Sequence, residues 1–164
     1  MAAKELTIFM PKNAIDINSL NEIAKNLSLM IEEKFPSIDL SYQFSARKGL
    51  GKDHLSIYWS NKNSDLIKEI LEWERPSDYY KNILAECKES ITINYRDLQL
   101  AKNLILTTER NLTKIPTSAC IVDNGLGCLI NFNDFLNQLK IDSGWSWEKE
   151  EFPEIAGVAI SEWK

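Results

Sequence analysis

Apolar and polar residues alternate along several short stretches of this chain. In residues 40–47 every second residue is apolar, and residues 54–60 repeat the pattern. Successive side chains of a β-strand point to opposite faces, so a period of two predicts strands that are buried on one side only. The link between them, residues 48–52, contains two glycines and predicts a hairpin connection. Further strands are predicted at residues 4–10, 91–95 and 155–160.

Other stretches have the spacing of an amphipathic helix. Ser19 and Glu22 have the spacing of a capping box, in which each side chain satisfies a backbone amide at the helix start. A helix from 19 to 35 is predicted, because apolar residues recur on one helical face at Leu20, Ala24, Leu27, Ile31 and Phe35.

The middle of the chain predicts three more helices. Two of them, at residues 65–74 and 77–88, are separated by Pro76, and Ser77 is the expected N-cap of the second. Asp97 is the expected N-cap of the third, which carries its apolar face on Leu98, Ala101, Ile105 and Leu112. A short helix nearer the C-terminus is predicted from Phe135, Leu136 and Leu139.

The strongest local pattern is the pair Asn124-Gly125 between two apolar runs in residues 118–131. This dipeptide is preferred in two-residue hairpin turns, which require a positive φ angle at the asparagine. A tight hairpin is therefore predicted, with a positive φ at Asn124. Cys120 and Cys128 flank the turn and are expected to face each other across the hairpin.

Neighbouring strands follow one another without an intervening helix, which argues against a doubly wound parallel sheet. The predicted fold class is α+β, with a mainly antiparallel sheet and helices packed on one face. The length of 164 residues suits one domain, so residues 1–164 are predicted to form a single α+β domain with an acidic, tryptophan-rich loop near 142–154.

The three cysteines lack CxxC spacing and are expected to be reduced, buried thiols instead of disulfide partners. The N-terminus has no apolar run of signal-peptide length, and no stretch approaches the roughly 20 apolar residues of a membrane helix. We therefore expect a cytoplasmic protein.

Candidate catalytic chemistry is sparse. His54 is the only histidine, and the alternation of residues 54–60 places it on the polar face of its strand. A zinc site needs three or four ligands at workable spacing, which one histidine and three scattered cysteines do not provide. No metal and no cofactor is predicted. Glu72 and Glu74 are a possible carboxylate pair, although the end of a solvated helix explains them equally well.

The excess negative charge is concentrated at the end of the chain. The formal net charge is −5, and residues 142–164 contribute −4 of it, from six carboxylates and two lysines. Such a field repels nucleic acid and attracts cationic surfaces. We therefore expect no nucleic-acid partner.

Within this acidic part, residues 142–154 read DSGWSWEKEEFPE and show no helical or strand period. Bulky aromatic side chains in a charged loop either attach the loop to the core or present a binding surface. Both can hold at once, with one tryptophan ring buried and the other exposed to a partner. Tryptophans dominate interface hot spots, and an acidic rim steers a basic partner. The predicted partner-binding residues are Asp142, Trp145, Trp147, Glu148, Glu150, Glu151 and Glu154. Tyr79 and Tyr80 are a weaker second candidate.

Residues 91–163 carry a resemblance to a protein family. They run from a strand and a helix through the Asn124-Gly125 hairpin and a short FNDFL helix to the acidic segment and AGVAISEW. This order resembles small immunity proteins encoded beside bacterial contact-dependent growth-inhibition and other polymorphic toxins. The resemblance implies a protein that binds and blocks a toxin domain in the cytoplasm, often through an acidic surface. It assigns no role to any single residue.

The predicted function is therefore that of an immunity-type protein, not an enzyme, whose partner is a cognate toxin domain with a basic surface. No membrane partner is expected. Two alternatives stay open: a different interaction module or accessory subunit, such as one from a phage or secretion system, and a small enzyme that uses carboxylates and His54.

Overall fold

The computed structural model describes residues 4–15, 18, 19, 22, 30–35, 41–47, 54–74, 76–112, 115–125, 128–141, 147 and 148. Within them the strands are β1 (Lys4–Met10), β2 (Met30–Phe35), β3 (Ser41–Arg47), β4 (His54–Ser60), β5 (Glu89–Tyr95), β6 (Ile121–Asp123) and β7 (Leu129–Asn131). The α-helices are α1 (Ser64–Leu71), α2 (Asp78–Ala85), α3 (Leu98–Asn111) and α4 (Phe132–Ile141). A short 3-10 helix, Thr117–Ala119, precedes β6.

The strands form one sheet in the order β2-β3-β4-β5-β1-β6-β7, and every pairing in it is antiparallel. The N-terminal strand β1 lies inside the sheet, between β5 and β6. This arrangement confirms the predicted α+β fold class with a mainly antiparallel sheet.

The two faces of the sheet carry different side chains. On what we call the first face, Leu6 and Ile8 of β1 pack with Ile93 of β5 in a core that also contains apolar residues of α3 and α4. On the opposite, second face, the helices α1 and α2 pack only near one end of the sheet, on Phe9, Ile121 and Leu129. The helices α3 and α4 thus pack on one face of the sheet, as the sequence predicts. The helices α1 and α2 pack on the opposite face.

The local start signals of two helices are confirmed. The Ser77 hydroxyl accepts a hydrogen bond from the backbone N–H of Tyr80 at 3.3 Å, at the start of α2. One carboxylate oxygen of Asp97 accepts from the backbone N–H groups of Gln99 at 2.8 Å and Leu100 at 3.1 Å, at the start of α3. These caps act within four residues, which is why the sequence reveals them.

The predicted helix from 19 to 35 is wrong over residues 30–35. Residues 18, 19 and 22 are helical, so the helix includes Ser19 instead of beginning after it. Met30–Phe35 instead form β2 at the edge of the sheet, paired with β3. Ile31 and Phe35 suit a strand as well as a helix, and the backbone groups that β3 offers decide between them. The predicted strand at 155–160 lies outside the described residues.

The hairpin between β6 and β7 is present, but its turn differs from the prediction. Positive φ angles among the described residues occur at Asn13 (64°) and Gly125 (78°), so the positive φ predicted for Asn124 is wrong. The Asn124 N–H donates to the Cys128 carbonyl at 3.2 Å, which closes a loop longer than two residues. This loop shifts the register, so Cys120 pairs with Phe132 through a 3.0 Å backbone hydrogen bond instead of facing Cys128.

Candidate functional site

Trp147, in the middle of the acidic segment, is buried in the core. Its side chain is 0% exposed and belongs to the core on the first face of the sheet. The ring meets Tyr95 of β5 edge-on, with centroids 5.8 Å apart, and tilts against Phe135 of α4 at 5.4 Å. Aromatic pairs favour such geometries, so Trp147 is held against both β5 and α4.

Polar contacts hold the same point of the chain. The indole Nε1–H of Trp147 donates to the Tyr95 hydroxyl at 2.9 Å, and that hydroxyl donates to Oε1 of Glu148 at 3.3 Å. The other oxygen of Glu148 forms an ion pair with Lys4 of β1. Burial and the nearby Glu148 carboxylate raise the pKa of Tyr95, so its hydroxyl stays protonated and available as a donor.

A third contact comes from the β6–β7 hairpin. Asn124 is 3% exposed, and its side-chain Nδ2–H donates to the backbone carbonyl of Trp147 at 2.9 Å. Its Oδ1 accepts from the Cys128 N–H at 3.2 Å. The amide thus joins the hairpin to the acidic segment, a role that the local turn pattern of Asn124-Gly125 conceals.

The burial of Trp147 corrects its predicted role as a partner contact. A side chain without exposed surface does not touch a partner, so Trp147 is an anchor of the segment. Glu148 is partly buried and already engaged by Lys4 and Tyr95. The remaining predicted binding residues, Asp142, Trp145, Glu150, Glu151 and Glu154, lie outside the described residues and stay predictions.

The weaker candidates separate by exposure. Tyr79 is 50% exposed, whereas the adjacent Tyr80 is 2% exposed and belongs to the core beneath α1 and α2. Glu72 and Glu74 are both exposed beyond the end of α1. His54 begins β4 opposite Arg47 of β3. Its side chain is not described, so its predicted exposure stays a prediction.

The cysteines have little nucleophilic character. All three are free and buried, and burial raises the pKa of Cys87 and of Cys120 to about 12. Since the thiolate is the reactive form, such thiols are inert at neutral pH.

Two further findings concern the described part of the chain alone. It contains no group of three or more His, Cys, Asp or Glu residues arranged to hold a metal ion. It also contains no helix with the length and apolar character needed to cross a membrane.

The chain matches no protein-family model, no curated protein and no solved structure.

Proposed function

We propose that this chain is an immunity-type protein, which binds a cognate toxin domain with a basic surface and neutralises it. The observation that carries the proposal is an acidic segment attached to a rigid anchor. Residues 142–164 contribute −4 of the net charge of −5, and Trp147 in that segment is fully buried. A cytoplasmic location belongs to the same proposal.

The anchor supports binding for an energetic reason. A free acidic tail loses conformational entropy when it binds, and this loss weakens the complex. A segment that is pinned at Trp147 by core packing and by Asn124 has already lost part of that freedom on folding. Its carboxylates therefore meet a basic partner at a lower entropic cost than carboxylates of a free tail.

The function is tested by capture followed by a growth assay. The tagged full-length chain is used to isolate its partner from the cells that encode it, and the captured protein is then expressed alone and together with the chain. We expect the partner alone to arrest growth and co-expression to restore it. A partner that is harmless when expressed alone would contradict the immunity function and favour an accessory-subunit role.

The binding surface is tested by charge reversal. Glu150→Lys with Glu151→Lys should slow association on the order of tenfold at low salt and flatten its salt dependence, because steering acts at long range. Glu148 is not used, since its substitution also disrupts Lys4 and Tyr95.

The matched control is Glu69→Lys with Glu72→Lys, which makes the same charge change at two exposed positions in and next to α1. Both pairs are compared by surface plasmon resonance at low and high salt. Equal effects of the two pairs would mean that net charge alone steers the partner, and would exclude residues 142–154 as the specific interface.

A further inference from the structure

A row of polar residues crosses the second face of the sheet. The strand registers place Tyr58 of β4 opposite Thr92 of β5, Thr92 opposite Thr7 of β1, and Thr7 opposite Asp123 of β6. In the next row Asn94 of β5 lies opposite Glu5 of β1. Since residues two apart in a strand share a face, these two rows form one continuous surface, which we call the polar face.

The polar face is accessible at its two ends. Tyr58 is 36% exposed although it lies in an inner strand, and Glu5 is exposed, whereas Thr7 in the middle of the row is only 7% exposed. Ile57 and Trp59, which flank Tyr58 in β4 and point to the first face, are buried. The polar face therefore presents an aromatic ring at one end and carboxylates at the other.

The polar face is preorganised. The hydroxyl groups of Thr7 and Thr92 are hydrogen-bonded to each other at 3.0 Å, in the middle of the row. The residues stand on paired inner strands, so little backbone freedom remains to be lost when a partner docks.

The acidic end of this surface lacks a neutralising partner among its described residues. Burial raises the pKa of Asp123, the Gly125 N–H at 3.0 Å lowers it, and the negative charge of Glu5 raises it further. The described side chains of the two rows include no Lys or Arg. A cation placed here relieves the repulsion between two carboxylates, so the complementary ligand is positively charged.

We propose that the polar face is a docking surface for an extended, arginine-bearing protein segment, with one guanidinium on Glu5 and Asp123 and a second on the ring of Tyr58. Arginine suits both ends, since its planar group pairs with carboxylates and stacks on aromatic rings. The site stands independently of the immunity function and of residues 142–154, because it involves neither the toxin nor the acidic segment.

The strand spacing sets the spacing of the two arginines. Neighbouring strands lie about 4.8 Å apart, so Tyr58 and Asp123, three strands apart, are separated by roughly 14 Å. An extended segment advances about 3.3 Å per residue, so arginines four residues apart span roughly 13 Å and point to the same side. The surface thus selects arginines at positions i and i+4.

The test uses the full-length chain and blocked peptides followed by NMR amide shifts. The probe is Arg-Thr-Ser-Thr-Arg, and the control peptide Arg-Thr-Ser-Arg has its arginines on opposite sides when extended. The probe should shift the amides of Thr7, Thr92 and Asn94 and bind about fivefold more tightly than the control peptide, as expected for one surface ion pair. Equal binding of the two peptides, or shifts confined to residues 142–164, would overturn the proposal.

Substitutions separate the two ends of the surface. Glu5→Gln at an exposed position and Tyr58→Leu, which keeps an apolar side chain but removes the ring face, should each weaken the probe by about threefold. Glu69→Gln on α1 is the control for lost negative charge and should leave binding unchanged. If Glu69→Gln weakens the probe as much as Glu5→Gln does, binding follows net charge and the docking surface is refuted.

Discussion

At the scale of single residues, the acidic segment depends on side chains that are distant in the sequence. Trp147 packs on Tyr95 and Phe135, and Asn124 holds the backbone carbonyl of Trp147. Each contact joins positions that are more than ten residues apart. Trp147 and Glu148 are thereby held at the core, although the surrounding sequence is rich in carboxylates that favour solvent.

The anchor role of Trp147 leads to a stability prediction. Trp147→Ala should lower the free energy of unfolding by about 3–5 kcal/mol, because it removes a fully buried ring from the core. Trp147→Phe keeps aromatic packing and loses the hydrogen bond to Tyr95, so its cost should be smaller, about 1–2 kcal/mol. Urea denaturation measures both variants, and an alanine variant as stable as the wild type would show that the ring is not a core residue.

Asn124 supplies a second residue-level prediction. Asn124→Gly should destabilise the protein by about 1–3 kcal/mol, because the buried carbonyl of Trp147 loses its donor. A tight turn with positive φ would instead tolerate glycine at this position. Asn61→Gly, at an exposed site after β4, is the matched control. Thermal unfolding compares the two variants. If Asn124→Gly and Asn61→Gly have equal unfolding midpoints, the side chain of Asn124 contributes nothing to stability.

At the scale of elements, the β6–β7 hairpin depends on one close approach between backbones. Gly125 has a φ of 78°, and a Cβ atom added there would lie 2.3 Å from the carbonyl oxygen of Glu5 in β1. The loop thus packs directly against the strand that pairs with β6. A glycine is required here for space as well as for backbone conformation.

We therefore predict that Gly125→Ala lowers the free energy of unfolding by about 2 kcal/mol or more, from the left-handed backbone and the clash with Glu5 together. Gly125→Asn separates these causes, since asparagine tolerates left-handed backbone but still carries a Cβ atom. We expect both variants to be similarly destabilised in urea titrations. Full stability of the asparagine variant would mean that conformation, and not space, requires the glycine.

At the scale of the whole molecule, carboxyl groups that are wholly or partly buried link folding to pH. Among the described residues, the pKa values of Glu89, Asp123 and Asp134 are raised, in each case mainly by burial. A carboxyl whose pKa is raised on folding binds its proton more tightly in the native state than in the unfolded chain. The stability from these groups is therefore full below their usual pKa values and is lost as the pH rises through the raised ones.

The contribution of these groups to the melting temperature should accordingly be largest near about pH 4 and smaller near about pH 7. Asp123→Asn and Asp134→Asn each remove one titrating group and should reduce this pH dependence. Glu69→Gln, at an exposed site on α1, is the control. Calorimetry at several pH values tests the prediction. An unchanged pH dependence in both asparagine variants would contradict it.

The sequence by itself determined the features that act over a few residues. Alternation located β3, β4 and β5, because a strand buried on one side needs no distant information to show its period. The strand β1 was predicted instead from a run of residues that ends at Pro11. The caps Ser77 and Asp97 were predictable for the same reason, since a cap and its amides are at most three residues apart. For the candidate site, the sequence alone supplied the concentration of negative charge in residues 142–164.

The tertiary structure decided what depends on partners far along the chain. Met30–Phe35 became a strand because β3 offers it an edge. The φ angle of Asn124 departed from the turn preference while its amide bound Trp147. The insertion of β1 between β5 and β6 brought Thr7 and Glu5 into the polar face, and packing on Tyr95 and Phe135 buried Trp147. Amphipathic patterns show which residues avoid water, but only packing determines which surface covers them. Packing therefore decides whether a tryptophan is buried in the core or contacts a partner.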